Sequence, residues 1–222
     1  MGRRRASWRP WEHRRGEGVA TGGEGRWAAI LLAAGSGRRF GGGKLLADFQ
    51  GRPLLAGALE AALASPALDI VLVTGAQAEA VGAAARSVAE ARGEAARLRI
   101  VHAADHAEGM GASLRAGARA LPPDAAGVFV FLGDMPKVPP AILPRLAQAV
   151  RQGAAAAAPM YGGRRGHPVL IGRDLLPALA RLSGDEGARA VLAELGGRMA
   201  FVDTDDPGVC FDVDRPEDLT PP

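Results

Sequence analysis

Three cationic side chains, those of Arg38, Arg39 and Lys44, stand close together in a segment that is otherwise rich in glycine. Residues 30–44 read ILLAAGSGRRFGGGK, an apolar run that passes into small residues and then into cations. Glycines let the backbone approach a ligand closely and let several N–H groups point inward together. This pattern predicts a polyphosphate site, and a triphosphate is the ligand we expect. The predicted cradle consists of Ala33, Ala34, Gly35, Ser36, Gly37 and Arg38.

Two common glycine-rich phosphate loops do not match this segment. The dinucleotide-binding pattern needs a third small residue after Gly35 and Gly37, and Phe40 stands at that position. The P-loop needs a glycine where Arg38 stands, and a serine or threonine where Leu45 follows the lysine. The mismatch at Phe40 also disfavours a nicotinamide-dependent oxidoreductase.

An acidic side chain follows the most apolar segment of the chain. Gly127–Leu132 reads GVFVFL, which is typical of a strand buried on both faces, and Asp134 comes just after it. Ligands of open α/β sheets bind beyond the carboxyl ends of strands, so we expect Asp134 beside the cradle. A carboxylate about 4 Å from a phosphate charge is repelled by roughly 4 kcal/mol at an effective dielectric constant of about 20. A bridging Mg²⁺ turns this repulsion into attraction, so the pattern predicts Asp134 as a metal ligand.

A second carboxylate is expected to share the metal ion. Residues 211–219 read FDVDRPEDL and contain several candidates. Asp212 and Asp214 would point to the same face of a regular strand, so their spacing does not choose between them. We expect Asp218 to act as a structural cap.

The elements that must position these residues alternate between strand and helix, which predicts βαβ units and a mainly parallel sheet. The predicted strands are residues 27–34, 69–74, 98–102, 127–132, 154–160, 198–202 and 209–213. The predicted helices are residues 53–65, 76–92, 111–120, 139–152, 173–182 and 186–195. We expect one α/β domain at residues 27–222.

Charge separates the first residues from the rest of the chain. Residues 1–26 carry seven arginines and three glutamates, whereas the whole chain has a net charge of +3, so residues 27–222 carry −1. The basic segment has no apolar period, and we predict a disordered extension. The near-neutral remainder argues against a nucleic-acid partner, and no apolar run is long enough to predict a membrane partner. Cys210 is the one cysteine, which favours a reducing compartment and a cytoplasmic protein.

The segment LAAGSGRRFGGGKLL resembles the signature L-A-A-G-x-S-x-R-M-G-x-x-K of the molybdenum cofactor nucleotidyltransferases, most closely the MocA-like cytidylyltransferases. Arg39 takes the signature arginine and Lys44 the signature lysine, whereas Gly37 replaces serine and Phe40 replaces methionine. The resemblance extends to Leu219. It implies a three-layer α/β/α fold with a Rossmann-like sheet of the nucleotide-diphospho-sugar transferase type.

Further motifs resemble this family. Asp134 lies in Gly-Asp-Met-Pro, where the family holds Mg²⁺, and analogy with the wider fold favours Asp212 as the second ligand. The turn GMGASL, which contains Gly109 and Ser113, resembles G-M-x-x-S-L and is implied to contact the base or ribose. The guanylyltransferases carry G-P-L-A-G in this region, so CTP is favoured over GTP. The motifs GHPV and GDEGAR imply contacts to the second substrate from His167 and Arg189, although Glu186 replaces the usual lysine.

The implied reaction is the transfer of CMP from CTP to the terminal phosphate of molybdopterin, with release of pyrophosphate. Arg39, Lys44 and Asp134 would be the catalytic residues, and Mg²⁺ the cofactor. Alternatives are a guanylyltransferase or a sugar- or polyol-phosphate nucleotidyltransferase of the same fold. A non-catalytic accessory protein, which binds nucleotide and delivers cofactor, is a further alternative. A molybdoenzyme or its chaperone is the expected protein partner.

Overall fold

The computed structural model describes residues 26–185 and 187–219. Residues 1–25 lie outside the described residues, so the disorder predicted for the extension stays a prediction. Arg26 is described, and its guanidinium donates to the carboxylate of Asp69 at 2.8 Å and to that of Asp124 at 3.3 Å. These ion pairs anchor the chain just before its first strand.

Strands and helices follow one another in the predicted alternation. The strands are β1 (Trp27–Ala33), β2 (Asp48–Phe49), β3 (Arg52–Pro53), β4 (Ala67–Thr74), β5 (Leu98–His102), β6 (Gly127–Leu132), β7 (Ala156–Tyr161), β8 (Arg164–Arg165), β9 (Val169–Gly172) and β10 (Met199–Asp203). The α-helices are α1 (Leu55–Leu63), α2 (Ala78–Ala91), α3 (Met110–Arg119), α4 (Ile142–Arg151), α5 (Leu176–Leu179) and α6 (Arg189–Ala193).

The main sheet is built around β1, which runs parallel to β4 on one side and to β6 on the other. The spatial order is β10-β7-β9-β6-β1-β4-β5, with β8 paired to β7. Strand β9 runs antiparallel to both of its neighbours, whereas β10 is parallel to β7 and β5 to β4. The predicted α/β fold class with a mainly parallel sheet is therefore confirmed.

Two apolar clusters cover opposite faces of the sheet. Trp27, Ala29 and Leu31 of β1 lie in a cluster with residues of α1, α2 and α4. Ala28 and Ile30 lie in a second cluster with residues of α3, α5 and α6. Because both faces of β1 are covered by helices, its sequence is apolar throughout rather than alternating. This arrangement is the predicted three-layer architecture.

A smaller apolar group, here called the side cluster, lies apart from the sheet. It consists of Phe49, Leu54 and Val213, with Phe40, Phe211 and Leu219 packed against it. The ammonium of Lys137 lies 3.9 Å from the centre of the Phe211 ring, a distance at which a cation and an aromatic face attract each other.

One predicted strand, residues 209–213, is wrong. Pro207–Cys210 forms a 3₁₀ turn, and residues 211–214 have no regular structure. The backbone N–H of Val213 donates to the carbonyl of Asp134 at 3.0 Å rather than to a neighbouring strand, and its side chain is buried in the side cluster. Of its alternating apolar residues, Phe211 and Val213 pack in the side cluster, whereas Val209 lies in the core cluster that contains α1, α2 and α4.

Other predicted boundaries shift by a few residues. Pro53 belongs to β3, so the first helix begins at Leu55 rather than at the proline. The helices predicted at 173–182 and 186–195 are replaced by the shorter α5 and α6, each preceded by turns. Within the described part of the chain, no helix is long and apolar enough to cross a membrane.

Candidate active site

A cavity of about 630 Å³ lies at the edge of the sheet where β1 and β6 end. The parallel register sets Leu32 of β1 beside Leu132 of β6, so the residues that follow both strands meet at one edge. The predicted site residues that line the cavity are Ala33, Ala34, Gly35, Ser36, Gly37, Arg39, Lys44, Gly109, Ser113 and Asp134.

The cradle is a compact turn that closes on the carbonyl of Gly37. This carbonyl accepts hydrogen bonds from the N–H of Phe40 at 3.0 Å and from the N–H of Gly42 at 3.1 Å. Gly37 has a φ of +61°, and a Cβ atom there would lie 3.1 Å from Cβ of Lys44. Glycine rather than the family's serine at this position therefore suits both the backbone conformation and the space beside the lysine.

One ammonium group faces two carboxylates in the cavity. Nζ of Lys44 lies 2.7 Å from Oδ2 of Asp134 and 3.6 Å from Oδ1 of Asp214. The guanidinium of Arg39 lies 3.7 Å from Asp214, and its side chain is 82% exposed. Lys44 is thus held by carboxylates, whereas Arg39 is free to move toward a ligand.

Asp212 lies beside this group without lining the cavity. Although Asp212 is exposed at the surface, partial burial of its carboxyl, and then the negative charges of Asp214 and Asp134, raise its pKa. Three carboxylates therefore influence one another around a single lysine.

The backbone beside Asp214 is fixed by the predicted cap. The carboxylate of Asp218 accepts hydrogen bonds from the N–H groups of Asp214 at 2.9 Å and Arg215 at 2.8 Å. These bonds, first that from Arg215, lower the pKa of the Asp218 carboxyl. Asp218 therefore holds the segment that carries Asp214 in a defined position.

The opposite wall of the cavity is formed where α3 begins. The N–H of Gly111 donates to the carbonyl of Gly184 at 2.8 Å, so the turn before α3 is joined to the segment that carries Asp185. Arg115 adds to this junction, because its guanidinium donates both to the carbonyl of Leu182 and to the carboxylate of Asp105.

A family model described as the MobA-like NTP transferase domain matches residues 29–199. The chain belongs to this family. It is therefore a nucleotidyltransferase of the MobA-like type, which confirms the resemblance seen in the sequence and implies a nucleoside triphosphate as substrate.

Two curated relatives span most of this MobA-like NTP transferase. Nicotine blue oxidoreductase of Paenarthrobacter nicotinovorans is 35% identical over 204 residues, which cover 86% of this chain and 93% of the relative. Purine catabolism protein PucB of Bacillus subtilis strain 168 is 30% identical over 196 residues, which cover 85% of this chain and 92% of the relative.

Solved structures share the fold of this MobA-like NTP transferase. The crystal structure of Rv0371c from Mycobacterium tuberculosis H37Rv has a TM-score of 0.72 and 28% identity, covering 87% of this chain and 95% of that chain. A manganese complex of Rv0371c from Mycobacterium tuberculosis H37Rv has a TM-score of 0.65 and 27% identity, and the match covers 82% of this chain and 89% of that chain.

Three of the predicted site residues do not line the cavity of this MobA-like NTP transferase. Asp212 is one, and the other two are His167 and Arg189. The backbone N–H of His167 donates to the carbonyl of Val209 at 2.8 Å, and burial lowers the pKa of its imidazole. Arg189 is exposed at the start of α6. The side chain of Arg38 and residue Glu186 lie outside the described part of the structure.

The cavity also contains residues that the motifs did not single out as site residues. Among them are Phe40, His106, Met110 and Asp185, whereas Asp214, the alternative second metal ligand, lines the cavity where Asp212 does not. His106 follows the carboxyl end of β5, so the strand-end rule that predicts the place of Asp134 could also have found it. Asp185 lies within GDEGAR, directly before the altered lysine position Glu186, so this motif is the signal that points to it.

A divalent metal ion has carboxylate ligands available here. Among the described residues, no group of three or more histidine, cysteine, aspartate or glutamate side chains is arranged to hold a metal ion by itself. Partial burial and then the negative charges of Asp214 and Asp134 raise the pKa of Asp212, and a cation would offset the part that comes from these charges. Oxygen ligands of this kind suit a hard divalent cation that keeps several waters or binds substrate phosphates.

Proposed function

We propose that this enzyme transfers CMP from CTP to the terminal phosphate of molybdopterin and releases pyrophosphate. The observation that carries the proposal is the 2.7 Å hydrogen bond from the Lys44 ammonium to the Asp134 carboxylate. Both residues line the same cavity as the cradle. The cation that would bind phosphate and the carboxylate that would bind the metal ion are therefore neighbours in one cavity. The resemblance of the motifs to the cytidylyltransferases supports the choice of substrates.

The reaction is a displacement at the α-phosphorus of CTP. An oxygen of the acceptor phosphate forms a bond to this phosphorus, and the bond from it to the oxygen that bridges to the β-phosphorus breaks. The electron pair leaves with pyrophosphate. Because the attacking phosphate is already ionised at neutral pH, the step needs no general base, and catalysis consists of positioning and charge neutralisation.

Arg39 and Lys44 have the charge that the leaving group requires. Negative charge grows on pyrophosphate as the bond breaks, so cations beside it stabilise the transition state more than the bound substrate. The exposed guanidinium of Arg39 is free to follow the β- and γ-phosphates, whereas Lys44 is 14% exposed and has a fixed place.

Asp134 and Asp212 would hold Mg²⁺ in this proposal, with Asp214 as the alternative second ligand. The manganese complex of Rv0371c supports a divalent ion in this family. When bound, the ion would offset the charge of the phosphates beside the carboxylates. The carboxylate of Asp134 itself fixes the place of the Lys44 ammonium.

The preference for CTP rests on the turn at Gly109 and Ser113. Both residues line the cavity, and Ser113 is 5% exposed, so it is a confined part of the cavity wall. The G-P-L-A-G pattern of guanylyltransferases is missing from this turn. His167 and Arg189 could contact the acceptor only where it extends beyond the cavity wall.

A pyrophosphate-release assay tests the proposal. Full-length protein is given Mg²⁺ and molybdopterin together with CTP or GTP, and the Asp134→Asn variant is the matched control. We expect pyrophosphate in proportion to acceptor consumed with CTP, little with GTP, and most activity lost in the variant. Preference for GTP would make the enzyme a guanylyltransferase. Binding of CTP without pyrophosphate release would support an accessory protein that delivers cofactor to a molybdoenzyme.

A second candidate is an oxidoreductase activity like that named for nicotine blue oxidoreductase. Its support is the 35% identity over 93% of that relative. The lack of a dinucleotide-binding pattern at Phe40 argues against it. The test measures the oxidation of NADH or NADPH in the presence of nicotine blue, as the decrease in the absorbance of the reduced nicotinamide. Turnover in that assay without pyrophosphate release in the first would favour this candidate.

A further inference from the structure

His106 is a histidine on the cavity wall that the proposed reaction does not use. It begins the 3₁₀ turn His106–Glu108 just after β5, and its side chain is half-buried. The same stretch of wall carries Gly109 and Ser113, where we place the base and ribose. His106 is therefore close to the part of the ligand that distinguishes one nucleotide from another.

The hydrogen bond to Ala103 determines which ring nitrogen of His106 can accept. Nδ1 lies 3.0 Å from the carbonyl oxygen of Ala103. A carbonyl oxygen only accepts, so Nδ1 must carry the proton, and in the neutral imidazole Nε2 is left with a lone pair. In its neutral form the ring thus presents a hydrogen-bond acceptor at Nε2.

The imidazole has little freedom to turn away. A Cβ atom at Gly75, the residue after β4, would lie 2.7 Å from Cγ and 2.8 Å from Cδ2 of His106, so the ring packs directly on this glycine. The preceding residue, Asp105, is held by the guanidinium of Arg115. An acceptor fixed in advance loses little entropy when it binds a donor, which makes it selective.

We infer that Nε2 of His106 accepts a hydrogen bond from an exocyclic amino group of the nucleotide base. The inference rests on the proposed function, which places the base at this wall. Cytosine has an amino group at C4, whereas uracil has an oxo group there, and an acceptor facing an oxo group makes no hydrogen bond. His106 is then a residue that determines specificity for CTP over UTP.

Two substitutions separate the two nitrogens of the ring. In His106→Asn the side-chain amide can still donate to Ala103, but nothing remains at the position of Nε2. In His106→Gln the amide reaches the position of Nε2 and offers an oxygen acceptor there, while the bond to Ala103 is lost. His102→Asn is the control, because His102 is exposed, is 6.0 Å away between ring centres, and does not line the cavity.

The experiment measures binding of CTP, UTP, GTP and ITP to the full-length proteins by calorimetry with Mg²⁺ and without acceptor. We expect His106→Asn to weaken CTP binding about tenfold, the size of one lost hydrogen bond, with UTP binding unchanged. His106→Gln should keep most of the preference for CTP, and His102→Asn all of it. Equal weakening of CTP and UTP in His106→Asn, or no weakening of either, would overturn the inference.

Failure of the proposed function has a different signature. The nucleotide that the unaltered protein binds most tightly tests the choice of CTP, independently of His106. Tightest binding of GTP would overturn that choice, and the pair GTP and ITP, which differ by the 2-amino group, would then test His106. In that case weaker binding of GTP but not ITP in His106→Asn would still support the inference, and equal weakening of both would overturn it.

Discussion

The ammonium of Lys44 donates a hydrogen bond to the carboxylate of Asp134 across 2.7 Å, although the two residues are 90 positions apart in the sequence. They follow different strands, β1 and β6, and neither is more than 25% exposed. In the free enzyme the predicted phosphate ligand and the predicted metal ligand therefore neutralise each other. A phosphate and a cation that bind together would release both residues to new partners.

We expect Lys44→Met to show this coupling. Without the lysine, Asp134 has lost its neutralising partner, so Mg²⁺ should bind the free variant more tightly than the unaltered protein, while CTP should bind about tenfold or more weakly. Titration calorimetry of Mg²⁺ with and without CTP measures both effects. Lys137→Met is the control, since the Lys137 ammonium rests on the Phe211 ring. Weaker Mg²⁺ binding in Lys44→Met would contradict the mutual neutralisation.

Arg39→Ala should slow the chemical step more than it weakens binding. The exposed guanidinium forms a long ion pair of 3.7 Å with Asp214, and such surface pairs contribute little stability, so the substitution should leave the melting temperature nearly unchanged. We expect kcat to fall roughly 100-fold, as for other contacts that stabilise developing charge. Steady-state kinetics measure this, with exposed Arg86→Ala of α2 as control. A rise in KM at constant kcat would assign Arg39 to ground-state binding.

Three asparagine variants should identify the metal ligands. We expect Asp134→Asn and Asp212→Asn each to lose most activity and to need at least about tenfold more Mg²⁺. The double variant should lose far less activity than the product of the two single losses, because the two residues serve one function. Activity is measured across a Mg²⁺ titration, with exposed Asp174→Asn as control. Should Asp214→Asn raise the Mg²⁺ requirement while Asp212→Asn is silent, Asp214 is the second ligand.

The raised pKa of Asp212 predicts a pH-dependent effect on stability in the absence of metal. A carboxyl whose pKa is higher in the folded than in the unfolded protein favours folding below the unfolded value, about 3.9, and loses that contribution as pH rises through the folded value. Asp212→Asn should therefore melt at a higher temperature than the unaltered protein at pH 7 in EDTA. The difference should vanish near pH 3, as thermal unfolding by circular dichroism would measure. A lower melting temperature for the variant at pH 7 would mean that Asp212 is stabilised by its neighbours.

Gly109→Ala should disturb the wall opposite the lysine. Gly109 has a φ of +126°, and a Cβ atom there would lie 2.0 Å from Oδ1 of Asp185 and 2.7 Å from the carbonyl of Gly184. The alanine must push this segment away from the cavity, so we expect KM for the nucleotide to rise several-fold or more. Gly197→Ala, which has open space around the added methyl group, is the control in the same kinetic assay. Unchanged KM would show that the wall moves without cost to binding.

Apolar patterns predicted six strands of the main sheet, but neither the short strands β8 and β9 nor the true form of the closing segment. The bounds of β6 (Gly127–Leu132) and β5 (Leu98–His102) agree with the prediction, because short apolar runs bounded by turns have few alternatives in an α/β domain. Residues 209–213 carry the same local signal, yet Val209 packs in the main core, Phe211 and Val213 pack in the side cluster, and the N–H of Val213 donates to the carbonyl of Asp134. Those partners are distant in sequence, so a local pattern does not reveal them.

The same limit applies to the site. Asp134 was predictable because it comes two residues after β6, and Lys44 because it ends the glycine-rich segment that begins where β1 ends. Asp212 and Asp214 could not be separated, since regular alternation was assumed where the chain is irregular. Their actual positions depend on two sets of hydrogen bonds. The N–H of Val213 donates to the carbonyl of Asp134, and the N–H groups of Asp214 and Arg215 donate to the carboxylate of Asp218.

The side cluster has a consequence for how the site opens. Phe40, whose N–H donates to the carbonyl of Gly37 in the cradle, packs in this small apolar group. Val213, which lies between Asp212 and Asp214, packs in the same group. A fluctuation that separates its side chains would loosen the phosphate-binding turn and the acidic segment in the same event, as a single cooperative unit of local unfolding. Release of pyrophosphate and loss of the metal ion would then depend on one local opening of the structure rather than on two independent ones.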